Sequence, residues 1–152
     1  MLLSNWDTKD RRDVARGSNT AIFEHATAHG REARYLITDW GGCMGSWGGN
    51  MITRSRWDAA AFTAQTPQFV GPVEDGVVKF GYSGQRTEDV ASGITPDDVR
   101  WLCGRLAQIT DTQLDVALRA SGATDDEREP FRGALRDRIN QLSRVCEPAT
   151  RS

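Results

Sequence analysis

The sequence predicts an α+β domain, mainly α, in which a β-hairpin and loops precede a three-helix C-terminal part. Three observations predict it. Most of the 15 glycines and both histidines precede residue 95, among short β-prone runs. From Thr95 onward the apolar residues recur at helical spacing, and three threonines each open such a stretch. The 152 residues, 38% apolar and 26% charged, suit one core. Residues 1–94 and 95–148 are therefore read as two parts of one domain, with 149–152 as a tail.

In chain order, "TAIFE" (20–24) and "RYLITD" (34–39) are joined by the polar "HATAHGREA", which predicts an antiparallel hairpin with a loose loop. The following "GGCMGSWGGN" cannot extend a strand, so the hairpin delivers Asp39 to a loop mouth. This glycine run lacks the Lys-Ser/Thr of a phosphate loop and is read as a mobile segment. "GVVKFGY" (76–82) is a further β-like run, and the first half as a whole reads as strands and loops.

In "TPDDVRWLCGRLAQI", Thr95 is the expected N-cap, Pro96 takes the first helical position and acids fill the first turn. Val99, Leu102, Leu106 and Ile109 share its apolar face. "TDTQ" (110–113) and "TDDE" (124–127) have the form of capping boxes. The middle helix is expected to end at Gly122, and the last to carry Phe131, Leu135, Ile139, Leu142 and Val145 as its stripe. The three are expected to pack in series.

Lys and Arg number 19 against 21 Asp and Glu, so no general attraction to nucleic acid or anionic membrane is implied. Nothing approaches the roughly 18 apolar residues of a membrane span, and the N-terminus is too short in apolar residues for a signal peptide. Cys43, Cys103 and Cys146 are widely spaced and read as reduced thiols. A soluble cytoplasmic protein is expected. His25 and His29 read as surface histidines, and the five tryptophans as core or rim packing.

The chemistry-bearing residues are a loop acid, Asp7, with Lys9 two positions later; Asn19 just before the hairpin; and Asp39 at its far end. Phosphoryl transfer from a nucleotide needs such a set. One carboxylate orients the attacking hydroxyl, while a second carboxylate and a carboxamide oxygen hold Mg²⁺ over the phosphates. In order and residue type, "NWDTK", "SNTAIFE" and "RYLITDWGG" resemble the C-terminal lobe of the protein-kinase-like superfamily, most closely its divergent bacterial members. "ITPDDVRWLCGRLAQITDTQLDVALRASG" resembles their helical tail.

The resemblance implies a kinase C-lobe-like fold and a phosphotransferase acting with Mg²⁺ and ATP on a hydroxyl of unknown identity. It implies Asp7 as catalytic base or hydroxyl orienter and Lys9 as a charge partner of the transferred phosphoryl. Asn19 and Asp39 would be the Mg²⁺ ligands that bind the nucleotide. The family's Asn follows its catalytic Asp by about five positions, whereas position 12 here is Arg and Asn19 follows the intervening "RRDVARGS".

Six residues precede Asp7, without a glycine-rich phosphate loop, strand lysine or helix glutamate. The expectation is a truncated lobe whose N-lobe is separate or missing. "MLLSNW" accordingly reads as the tail of an earlier element. The alternative is a non-catalytic, pseudokinase-type remnant or protein-binding module.

Overall fold

A computed structural model describes residues 1–5, 20–38, 40–47, 57–82 and 92–146. Among these the fold is α+β, with four α-helices, one 3₁₀ turn and two antiparallel two-stranded sheets. The expected hairpin is present. Strand β1 (Thr20–Thr27) pairs with β2 (Gly30–Ile37), Thr20 opposite Ile37 and Thr27 opposite Gly30. The pairing extends through most of "HATAHGREA" to a two-residue turn, where a loose loop was expected.

Local chemistry accounts for that extension. Gly30 has φ +124°, a conformation that side chains resist. Thr27 Oγ1 accepts from the His29 N–H at 3.2 Å and donates to the Gly30 carbonyl at 2.9 Å. Arg31 pairs with Glu24 across the strands. Successive strand residues face opposite sides, yet Ile22 and Phe23 are 67% and 56% exposed.

The C-terminal part forms the three expected helices, α2 (Pro96–Leu106), α3 (Asp111–Ala120) and α4 (Asp125–Cys146). Thr95 and Thr110 head reciprocal capping boxes with Asp98 and Gln113. Glu127 accepts from both the N–H and the hydroxyl of Thr124. Helix α3 ends in a Schellman motif: Gly122 has φ +95° and donates to Arg119, while Ala123 donates to Leu118. The three do not pack as a series. Helices α2 and α3 both rest on α4, because α4 alone is long enough to offer a separate apolar stretch to each.

Residues 57–82 hold more helix than the sequence reading expected. Asp58 caps α1 (Ala59–Gln65) by accepting from Ala61 N–H, and a 3₁₀ turn (Thr66–Gln68) leads into β3 (Val70–Glu74) and β4 (Val77–Phe80). Asp75 and Gly76 both take positive φ, 50° and 74°, giving the primed turn whose twist suits a two-residue hairpin. The Gln65 side chain accepts from the Trp47 N–H and donates to the Trp47 carbonyl, at 2.7 and 2.8 Å, pinning the loop to α1.

Two apolar clusters form the core. One gathers Trp47, Phe69, Val78, Tyr82, Val99, Leu106, Ile139 and Leu142; the other gathers Met44, Phe62, Leu118, Ala123, Phe131, Ala134 and Leu135. Helix α4 feeds both, and each large buried side chain contributes on the order of 2 kcal/mol. Between its two contributions lies Arg138, fully buried. Its guanidinium sits 3.6 Å from the Phe62 ring centre, 5.0 Å from Trp47 and 5.2 Å from Phe69.

Arg138 donates Nε–H to Thr66 Oγ1, Nη1 to the Leu2 carbonyl and Ser4 Oγ, and Nη2 to the Phe62 carbonyl, at 2.8 to 3.0 Å. Burial pulls its pKa down to about 9, against a small opposing pull from Asp137. At neutral pH it is still a cation. Neutral oxygens and ring faces solvate it, and no carboxylate lies within ion-pair distance among the described residues.

Arg138→Ala is expected to lose on the order of 4 kcal/mol, since it opens a cavity and strands several buried acceptors. Arg138→Lys, which keeps the charge without the planar fork, should lose less. Urea unfolding measures both; a loss under about 1 kcal/mol for the alanine variant would show that this network does not join the clusters.

Candidate functional site

Asp7, Lys9, Asn19 and Asp39 all lie outside the described residues, so their mutual geometry is not part of the structure as described. The described chain reaches residue 5, resumes at Thr20 directly after Asn19, and flanks Asp39 on both sides. Residues 1–5 precede the Asp7 motif, and Thr38 and Trp40 flank Asp39.

The approach to Asp7 is anchored at several points. Ser4 and Asn5 are buried. Ser4 N–H donates to the Met1 carbonyl at 2.8 Å, and Tyr82 Oη donates to the Asn5 carbonyl at 2.9 Å. On the other side, Trp40 Nε1–H donates to the Ile37 carbonyl at 3.2 Å, spanning positions 38 and 39. Cys43 N–H then donates to the Trp40 carbonyl.

The two approaches meet. Met44 N–H donates to the Leu3 carbonyl at 2.8 Å, and its own carbonyl accepts from Asp58 N–H at 2.8 Å. Trp57 N–H donates to the Cys43 carbonyl at 3.2 Å. Ser4, Met44 and Trp57 have φ of 51°, 61° and 49°, all left-handed and none glycine. Such conformations cost on the order of 1 kcal/mol or more each and gather where a structure is built around a site. The junction of residues 3–4, 43–44 and 57–58 gathers three of the four such non-glycine residues among those described.

Beside this junction opens a cleft of about 450 Å³, walled by Leu3, Trp40, Met44 and Trp57 on one side and by Leu114 and Leu118 of α3 on the other. Its lining is mostly apolar, which suits an aliphatic or aromatic group. Trp57 is held by tilted stacking on Phe131, with ring centres 5.0 Å apart. No group of three or more His, Cys, Asp or Glu side chains gathers as a metal site among the described residues. His25 faces Glu32 at 3.5 Å on the hairpin surface.

Sequence reasoning missed this cleft because its lining is drawn from residues scattered between 3 and 135. The available signal was the pairing of Trp40 and Trp57 with loop glycines and an Asp cap. No protein-family model, curated protein or solved structure matches the chain.

The carboxyl of Glu127 lies below the usual glutamate range, because it accepts from the Thr124 backbone N–H and the Thr124 hydroxyl. A carboxylate with a depressed folded pKa stabilises the fold above its unfolded pKa, and that contribution fades as pH falls through the folded value. Acidification is thus expected to fray the start of α4 and release Trp57 before global unfolding. Tryptophan fluorescence and far-UV circular dichroism followed down in pH would show this, and Glu127→Gln should remove the early fluorescence step.

Proposed function

We propose that the chain is the C-terminal, catalytic-loop-bearing lobe of a kinase-like phosphotransferase that uses Mg²⁺ and ATP. Asp7 orients the acceptor hydroxyl, Lys9 faces the transferred phosphoryl, and Asn19 and Asp39 hold Mg²⁺. The observation that carries this reading is the hydrogen bond between Leu3 and Met44. Leu3 stands four residues before Asp7 and Met44 five residues after Asp39, so the bond supports the two acids serving one site.

The chemistry is consistent with the residue types. Carboxylate and carboxamide oxygens are the hard donors Mg²⁺ prefers, and the ion would neutralise charge on the phosphates. A second acid outside the metal set is what a hydroxyl acceptor requires for its proton. The cleft beside Trp40 suits an acceptor that carries its hydroxyl on an apolar body.

A second reading, a non-catalytic protein-binding module, draws support from the exposed Ile22, Phe23 and Leu36 of the hairpin. The two differ in their response to nucleotide.

Calorimetric titration of the 152-residue chain with ATP, with and without Mg²⁺, tests the proposal. Weak, metal-dependent binding is expected, abolished by Asp39→Ala and retained by Asp7→Asn. A parallel phosphotransfer assay on the same 152 residues reads whether binding leads to transfer. Binding that survives Asp39→Ala would overturn the site assignment. Absence of any Mg²⁺-dependent binding would favour the binding-module reading.

A further inference from the structure

Cys103 lies in α2, and Cys146 is the last described residue of α4. They are 43 positions apart in sequence, yet their sulfurs approach to 2.8 Å. A disulfide bond is about 2.04 Å long, so closing it needs a further approach of about 0.8 Å. Both residues are half-buried, at the edge of the first apolar cluster, where a small oxidant can still reach them. No His, Asp or Glu joins them as a third ligand among the described residues, which argues against a metal site.

We propose that Cys103 and Cys146 are a thiol–disulfide exchange pair that closes into an intramolecular disulfide when the chain meets a disulfide oxidant such as oxidised glutathione. The balance is simple. One protein thiolate attacks the oxidant and releases one reduced glutathione. The second protein thiolate then attacks the resulting mixed disulfide and releases another. The two protein sulfurs lose two hydrogens, and two glutathione thiols gain them.

The resting pair is stable as thiols. Burial, then the hydrogen bond and charge interaction with Cys146, push Cys103 up to about 12, with Ser143 opposing weakly. Cys103 is therefore protonated at neutral pH. Closure would join the end of α4 to α2 and enclose the whole of α3 in one covalent loop. Cys43 stands apart, in the wall of the apolar cleft. The inference does not rest on the phosphotransferase reading.

The test uses the full chain, native, with excess oxidised glutathione, followed by acid quenching, alkylation and peptide mass spectrometry. The expected product is a monomer lighter by about 2 Da, with one alkylatable thiol, on Cys43, and a linked peptide joining Cys103 to Cys146. Cys103→Ser should instead stop at a glutathione adduct on Cys146. Oxidation in urea should lose the preference, with Cys43 pairings rising roughly tenfold relative to the native chain. Three alkylatable thiols, persistent glutathione adducts on the native wild type, or native linkage through Cys43 would each overturn the proposal.

Discussion

The buried guanidinium of Arg138 is the interaction on which the rest of the structure depends. A charge in an apolar interior is unfavourable unless its surroundings replace water. Here the replacement comes from four different places: residues 2 and 4 at the N-terminus, Phe62 in α1, Thr66 at the 3₁₀ turn, and the ring faces of Trp47 and Phe69. Satisfying one side chain therefore fixes the relative positions of segments that share little else. Gln141, one turn further along α4, repeats the device by accepting from Val70 N–H and donating to the Thr66 carbonyl. The helix thus supports the N-terminal segment and β3 by polar contacts, and its neighbouring helices by shared apolar clusters together with polar contacts such as Arg138 to Phe62 and Arg136 to Asp111.

The parts of the fold that were legible in the sequence are those decided within a few residues. A capping box spans three positions, and Thr95, Thr110 and Thr124 each behave as their neighbours require. The hairpin followed from its β-prone runs, although most of the loop expected over 25–33 is strand, closing in a turn at 28–29. Two local signals were passed over. Asp58 ahead of three alanines is a helix start, and Asp75-Gly76 is a primed-turn pair.

Arg138 was illegible for a different reason. It stands three residues after Leu135 and four before Leu142, squarely on the apolar stripe of α4, but an arginine there reads as solvated. Only acceptors from residues 2, 4, 62 and 66 make its burial tolerable, and no sequence window contains them all. The cleft shares this property. Its walls come from the N-terminus, two loops and two helices, so only the assembled chain has it. Of the proposed phosphotransfer site, the residue types and their order are sequence facts, while the meeting of residues 3 and 44 is a structural one.

The β1–β2 hairpin has a consequence for the energy of local opening. Among the described residues its strands pack chiefly on each other, with apolar side chains exposed on both faces, whereas the helical part shares buried clusters. A lone two-stranded sheet is marginal in water. The hairpin therefore forms its own cooperative unit, opening at a small fraction of the free energy that the α4-centred core demands. Its amide hydrogens exchange with solvent ahead of those in the helices, and anything that covers Ile22 or Phe23 slows that exchange without touching the core.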